Sequence, residues 1–106
     1  MTVESKYEAL VKKFASRPSV THVAEGGGFG SRGQLKVDGR IFAMLVKDEL
    51  VLKLPRSRVD ELVAAGDGVN FDAGKGRPMR EWFVLSSRSK LEWLALVKEA
   101  LAFVRG

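Results

Sequence analysis

The fold is decided by the stretch Gly33-Gln-Leu-Lys-Val-Asp-Gly-Arg-Ile-Phe-Ala-Met-Leu-Val-Lys-Asp-Glu-Leu-Val-Leu-Lys-Leu-Pro55, which predicts three strands joined by two tight turns. Apolar residues fill every position from Ile41 to Val46, and successive residues of a strand point to opposite faces. This strand is therefore expected to be covered on both faces or to lie in the middle of the sheet. Turns this short cannot make the crossover that parallel strands require. The sheet is therefore predicted to be antiparallel.

The first turn, at Val37-Asp-Gly-Arg40, is compatible with two registers. A two-residue loop at Asp38-Gly39 pairs Leu35 with Phe42 and splits the apolar residues between the two faces. A bulge at Gly39 instead pairs Leu35 with Ile41 and collects most of the leucines on one face, and this is the register that we prefer. The preferred register predicts an opposite face, partly covered at best, that carries Phe42, Met44, Val46 and Val51.

Three helices are predicted around this stretch. Helix one spans Thr2 to Ser16, where apolar residues recur at helical spacing until the residue before Pro18 leaves the α region. Helix two has Ser57 as its N-cap and closes at Gly66. Helix three follows a capping box at Ser89-Lys-Leu-Glu92 and runs to about Val104.

Shorter strands are predicted at Val20–Ala24, Gly68–Asp72 and Glu81–Ser86. The predicted fold class is α+β, with a two-layer architecture in which three helices cover one face of an antiparallel sheet. The element order is α, three or four strands, α, two strands, α.

Composition limits the classes of protein to consider. A chain of 106 residues with 45% hydrophobic and 29% charged residues suits a single domain, residues 1–106. The chain has no cysteine, which excludes disulfides and thiolate chemistry and makes the cytoplasm the expected location. Neither an export signal nor a membrane-spanning stretch is recognisable, so no membrane partner is expected. The net charge of +5 favours weak association with polyanions, although many soluble proteins carry a similar excess of charge that serves only their solubility.

The motifs that suggest catalysis have simpler structural explanations. Gly28-Phe-Gly-Ser-Arg-Gly33 matches the dinucleotide fingerprint, but a strand follows it where a helix is required. His22 is the only histidine and is interpreted as a strand residue at a solvent edge. The carboxylate pairs Asp48-Glu49 and Asp60-Glu61 are interpreted as solvated. No catalytic residue, metal ligand or cofactor is therefore predicted.

Two candidate binding surfaces remain. Arginine beside glycine suits phosphate contacts, and a set of basic residues clusters in sequence around Trp82, which itself is interpreted as sheet packing. The candidate nucleic-acid-binding residues are Arg32, Lys75, Arg77, Arg80 and Arg88. The candidate protein-interaction residues, on the partly covered sheet face, are Phe42, Met44 and Val51.

The chain resembles the TfoX N-terminal domain family, also called TfoX/Sxy. The likeness is carried by Phe29-Gly30, Gly33, Val37-Asp-Gly-Arg-Ile-Phe-Ala43 and Leu50-Val-Leu-Lys-Leu54, and continues more weakly through Gly76-Arg-Pro-Met79 and Trp82 to the closing helix around Trp93. The resemblance implies a two-layer domain similar to the YjbR-like and secretion-chaperone-like folds, and a link to bacterial regulators of DNA-uptake competence. It implies no catalytic residues.

These observations lead to three hypotheses about function. The first is a non-enzymatic regulatory or adaptor domain that binds a partner protein or a second copy of itself. The second is a nucleic-acid-binding protein that uses the basic residues above, with an affinity that falls steeply with salt. The third is a small enzyme, for which the sequence offers no acid/base pair.

Overall fold

The architecture is a six-stranded sheet with three helices. The computed structural model describes residues 3–14, 16–23, 31–46, 49–71, 79–86 and 88–106, and for residues 3, 4, 23, 31, 32, 79 and 80 it describes the backbone alone. In these ranges the elements are α1 (Val3–Phe14), β1 (Val20–Val23), β2 (Ser31–Val37), β3 (Arg40–Val46), β4 (Glu49–Lys53), α2 (Arg56–Ala64), β5 (Gly68–Phe71), β6 (Met79–Leu85) and α3 (Trp93–Arg105). The α+β class and the predicted element order are confirmed. No helix in these ranges is long and apolar enough to cross a bilayer.

All neighbouring strands are antiparallel, in the order β1-β2-β3-β4-β6-β5. Strands β2, β3 and β4 form the three predicted consecutive strands. Strand β6 pairs with β4, and β5 pairs with the other side of β6. The strand β3 lies in the middle and is covered on both faces, as its unbroken apolar pattern predicts. Strands β1 and β5 are the two edges.

The register between β2 and β3 differs from the preferred prediction. Asp38 and Gly39 both have positive φ, of 51° and 81°, so they form a two-residue turn that pairs Val37 with Arg40. The irregularity lies further along the strands, because Lys36 pairs with Ile41 but Leu35 pairs with Ala43. Phe42 is the extra residue of this bulge.

The bulge moves Phe42 from the face on which it was predicted. Phe42 packs in the core on the helix side, where its ring meets that of Phe14 edge to face at a centroid distance of 6.2 Å. Ile41 moves the opposite way and packs on the face away from the helices. Leu35, Ala43 and the leucines of β4 do lie together on the helix side, as predicted.

A second bulge lies near the start of β2, which begins at Ser31 within the motif Gly28-Phe-Gly-Ser-Arg-Gly33. Arg32 pairs with Leu45 and Leu35 with Ala43, so β2 has one more residue than β3 across this interval. Gly33 sits there with φ of 59°, a conformation that favours glycine. The phenol of Tyr7 in α1 donates a hydrogen bond to the Gly33 carbonyl, which fixes α1 to β2 at this bulge.

The three helices lie on one face, with α3 in the middle. Helix α3 packs over β2, β3 and β4, whereas α2 packs over β5 and β6. Helix α1 lies on the β2 side through Tyr7, so the order across the sheet is α1, α3, α2. This explains why the apolar face of α3 is wider than one sheet requires, since its flanks also pack against the two neighbouring helices.

The helix starts differ from the predicted caps. Helix α2 begins at Arg56 after Pro55, which places Ser57 inside the first turn. Helix α3 begins at Trp93, so the capping box at Ser89-Lys-Leu-Glu92 is wrong. The Ser89 hydroxyl instead donates to Asp67 Oδ1 at 2.9 Å and accepts from the Leu91 amide at 3.2 Å, which ties this loop to the end of α2. At that end, Gly66 terminates the helix as predicted, with its amide 3.0 Å from the Val63 carbonyl.

Candidate interaction surfaces

The apolar residues predicted to bind a protein are buried inside the chain. Phe42, Met44 and Val51 are all fully buried, so they do not form a surface. Phe42 belongs to the helix-side core for the reason given above. Met44 and Val51 do lie on the opposite face, but within a second, smaller core cluster rather than exposed as predicted. We call this cluster the outer cluster; its buried members are Met44, Val46, Val51, Phe71 and Val84.

The outer cluster includes a row of apolar side chains that crosses four strands in register. Met44 of β3 pairs with Val51 of β4, Val51 pairs with Val84 of β6, and Val84 pairs with Val69 of β5. The first two side chains are fully buried and Val84 is 8% exposed, but Val69 is 60% exposed. Among the described side chains, Val69 is the large hydrophobic residue that reaches solvent. The buried row therefore emerges at the β5 edge.

The β5 edge is only briefly regular. Gly68, Val69 and Asn70 pair with Leu85, Val84 and Phe83, after which Phe71 pairs with Met79. Residues 80–82 of β6 therefore lie outside the regular ladder with β5. An extended segment alongside β5 would follow a straight ladder over these three pairs.

Trp82 packs against the outer cluster, as its position in a strand predicted. It is half-buried, and it pairs across the ladder with Lys53 of β4, whose Nζ lies 5.5 Å from the centroid of the indole ring. The aliphatic stem of Lys53 shares this face with the ring. Trp82 thus serves as cover for the cluster rather than as an open stacking platform.

The predicted nucleic-acid-binding residues are only partly described. Lys75 and Arg77 lie outside the described residues, and Arg32 and Arg80 are described by their backbone alone. Arg32 is in β2 and Arg80 in β6, and the two strands are separated by β3 and β4. That separation corresponds to about 14 Å at the usual spacing between strands.

Arg88 is the member of this set with a described side chain. It is exposed in the loop after β6, where its amide donates to the Ser86 hydroxyl at 3.1 Å. Arg80 is near the start of β6 and Arg88 follows its end, so the length of the strand separates them. The described backbone therefore separates Arg80 from Arg88 despite their nearness in sequence, and it places Arg32 on a strand apart from both.

Other basic residues do share a surface. Lys6 and Lys13 are seven residues apart on α1, and Lys98 and Arg105 are seven residues apart on α3. All four are exposed. These four cations are not neighbours in the chain, so the sequence prediction did not include them. The signal that identifies them is the seven-residue spacing, which aligns two residues on one side of a helix.

The titratable groups with displaced pKa values have structural roles. Burial raises the pKa of the Tyr7 phenol well above its usual range, and the group is occupied in holding α1 to Gly33. Hydrogen bonds to Glu99 and Glu61 raise the pKa of Arg58. Arg58 contacts Glu99 through Nε at 2.9 Å and through a second nitrogen at 3.2 Å, so the pair joins α2 to α3.

The remaining candidates for chemistry lie on the surface. His22 is exposed in the edge strand β1, and Asp60, Glu61 and Glu49 are exposed, as predicted for solvated groups. Asp48 lies outside the described residues. Within the described part of the chain, no group of three or more His, Cys, Asp or Glu side chains is placed to hold a metal ion.

Comparison with known proteins identified no relative of this chain. No protein-family model, curated protein or solved structure matches the chain.

Proposed function

We propose that this chain is a cytoplasmic, non-enzymatic regulatory or adaptor domain that binds a partner protein. The observation that carries the proposal is Val69, an exposed valine at the end of a row of buried apolar side chains. An extended segment of the partner would lie alongside β5 as a seventh strand. The predicted interaction residues Met44 and Val51 belong to the same row, but the partner would contact its end and not its middle.

The geometry of the row defines the segment that fits. β5 has β6 on one side and, among the strands that the structure describes, no neighbour on the other. A residue placed beside Val69 on the same face would continue the row, and a β-branched or aromatic side chain makes the best pair of this kind, worth about 0.2–1 kcal/mol. The regular ladder covers three pairs, so the matching segment is short. Backbone hydrogen bonds would supply most of the affinity and the residue beside Val69 the specificity.

The resemblance to the TfoX N-terminal domain family supports a regulatory role for such binding. The residues that carry the stronger part of the resemblance and have a described structure lie in β2, the β2–β3 turn, β3 and β4, and the weaker part reaches β6 and the start of α3. They build the sheet rather than a reaction centre, which agrees with a domain that presents an edge.

The proposal can be tested by cross-linking from the edge itself. A photoreactive amino acid replaces Val69 in one variant and Thr21 in a control variant, because Thr21 is exposed on β1 at the other edge of the same sheet. Each variant is irradiated in an extract of the native cells. We expect a protein that cross-links at position 69 and not at position 21, and that unlabelled wild-type chain displaces.

Competition with a second variant makes the test specific. Val69→Lys places a charge at the end of the row and should fail to displace the cross-linked protein at concentrations at which the wild-type chain displaces it. The proposal is contradicted if the two positions give the same products, or if the lysine variant competes as well as the wild-type chain. If the partner is a second copy, light scattering will show a dimer that Val69→Lys converts to a monomer.

A further inference from the structure

The helix layer carries a charged surface separate from the β5 edge. Helices α1 and α3 are neighbours in this layer, and their first turns meet where Lys6 Nζ lies 4.5 Å from the centroid of the Trp93 ring. That contact shows which side of α1 is turned toward α3. Because a helix turns by about 100° per residue, Lys13 projects from the same side as Lys6, two turns further along.

The matching side of α3 is identified by its other neighbour. Glu99 is held by Arg58, so Glu99 lies on the flank of α3 that faces α2. Lys98 and Arg105 project about 100–120° away from Glu99, beyond the exposed crest at Ala95 and Ala102. They therefore lie on the flank that faces α1.

Four cations border the space between these two helices. We call Lys6, Lys13, Lys98 and Arg105 the basic cleft. The two members on each helix are about 10 Å apart along its axis, at 1.5 Å per residue. Glu8 projects from the opposite flank of α1, and Glu99 from the α2 flank of α3. Among the side chains that the structure describes on these two helices, the carboxylates are thus turned away from the cleft.

We propose that the basic cleft binds the phosphate backbone of a nucleic-acid duplex. Two cations on each of two neighbouring helices can each neutralise a phosphate, and the resulting affinity comes mainly from the release of counterions. This site differs from the basic residues that the sequence suggested, since it contains none of Arg32, Lys75, Arg77, Arg80 and Arg88. It is independent of the β5 edge, which lies under α2 on the side of the sheet away from α1.

The surroundings of the cleft favour a duplex over other polyanions. An anionic membrane would require large apolar side chains beside the cations, but the crest of α3 carries Ala95 and Ala102. Single strands are bound by stacking on open aromatic faces. The Trp93 ring at the start of α3 is half-buried and has Lys6 over it.

The test compares two triple variants with equal charge. Lys13→Gln, Lys98→Gln and Arg105→Gln are combined in the cleft variant, and Arg40→Gln, Arg56→Gln and Lys90→Gln in the control; all six residues are exposed. Binding of a fluorescent 20-base-pair DNA is followed by anisotropy between ~25 and ~200 mM NaCl, the range in which phosphate contacts dominate affinity. Circular dichroism verifies that both variants are folded.

We expect the cleft variant to bind at least about tenfold more weakly at low salt, and its salt slope to fall by about 2.7 if each lost contact contributes 0.9. The control should change by less than about threefold, because exposed charges far from the ligand act only through the screened field. Val69→Lys should leave DNA binding unchanged, so failure of this proposal is distinguishable from failure of the proposed function.

Several outcomes would overturn the proposal. Equal losses in the two triple variants would mean that net charge alone acts. Loss of binding on Arg88→Gln alone would place the contact in the loop after β6. Stronger binding of a single-stranded oligonucleotide, or binding of phosphatidylserine vesicles without any binding of the duplex, would identify a different ligand.

Discussion

The two faces of the sheet are built from alternate residues of the same strands, yet they differ in how completely they are shielded from solvent. On the helix side, three helices close a large core in which Phe14, Phe42 and Phe83 are fully buried. On the other side, the outer cluster is smaller, and its central row reaches solvent at Val69. The closed face buries more apolar side chains, so we expect it to contribute more of the stability. The face with an exposed end is where we propose that the chain meets a partner.

The largest expected effect compares adjacent residues of β4. Leu52 points to the helix side and Val51 to the outer cluster, and both are fully buried. Leu52→Ala should lower the free energy of unfolding by about 3–4 kcal/mol, through lost transfer energy and the cavity left behind. Val51→Ala removes two carbons and should cost about 2 kcal/mol. Urea unfolding followed by circular dichroism measures both.

The opposite order of the two losses in unfolding free energy would contradict this comparison of the faces. A loss for Val51→Ala that exceeds that of Leu52→Ala would show that the outer cluster is the main source of stability. The m-value should stay constant in both variants, because a change in it would indicate an altered denatured state and not a lost contact.

The alternation in β4 was predictable from the sequence, and so were the faces from Ala43 to Val46 in β3, but those of Ile41 and Phe42 were not. A period of two assigns Leu50, Leu52 and Val51 correctly because β4 pairs without a bulge. In β3 the bulge at Phe42 shifts the phase by one residue, and the two possible registers differ by too little in sequence to be separated. The tight turn was recognised, and its two-residue form, with positive φ at Asp38 and Gly39, is the alternative that we did not prefer although Asp-Gly favours it.

The candidate site was harder to predict than the fold. Met44 and Val51 are buried in a cluster with Phe71 and Val84, which are distant from them in the chain. The cations of the basic cleft are likewise distributed over two helices at opposite ends of the sequence. Ser89 shows the same limit at the scale of one hydroxyl, since its contact with Asp67 replaces the predicted cap.

The next effect concerns how α1 is attached to the closed face, and it uses two glycines with positive φ. A Cβ at Gly33 would lie 2.7 Å from Cε2 of Tyr7, whereas a Cβ at Gly39 would meet nothing within 4 Å. Both Gly→Ala changes strain the backbone by about 1–2 kcal/mol. Gly33→Ala should cost about 1–2 kcal/mol more, because the ring of Tyr7 must move in a packed core. Equal losses in the free energy of unfolding, measured in urea, would show that Tyr7 and α1 can move away from Gly33 at no cost in stability.

A smaller effect appears only at high pH and tests the same attachment. Tyr7 is the only tyrosine, so absorbance at alkaline pH reports its phenol alone. Burial raises its pKa in the folded chain, so the unfolded chain loses the proton first, near pH 10. The free energy of unfolding should therefore fall above that pH, by about 1.4 kcal/mol per pH unit until the raised pKa is reached. Tyr7→Phe should abolish this slope, and a phenol that ionises near pH 10 in the folded protein would contradict the burial.

The smallest expected change is at the exposed end of the row, and it decides what Val69 is for. Val69→Thr keeps the β-branched shape and removes one apolar methyl from a side chain that is 60% exposed. The free energy of unfolding should change by less than about 0.5 kcal/mol, as for other surface substitutions, compared with the roughly 2 kcal/mol expected for Val51 in the same row. A loss above about 1 kcal/mol would mean that Val69 stabilises β5 within the chain. A neutral result together with weaker displacement of the cross-linked protein would assign the apolar end of the row to binding, because folding alone would then give no reason for a valine at this edge.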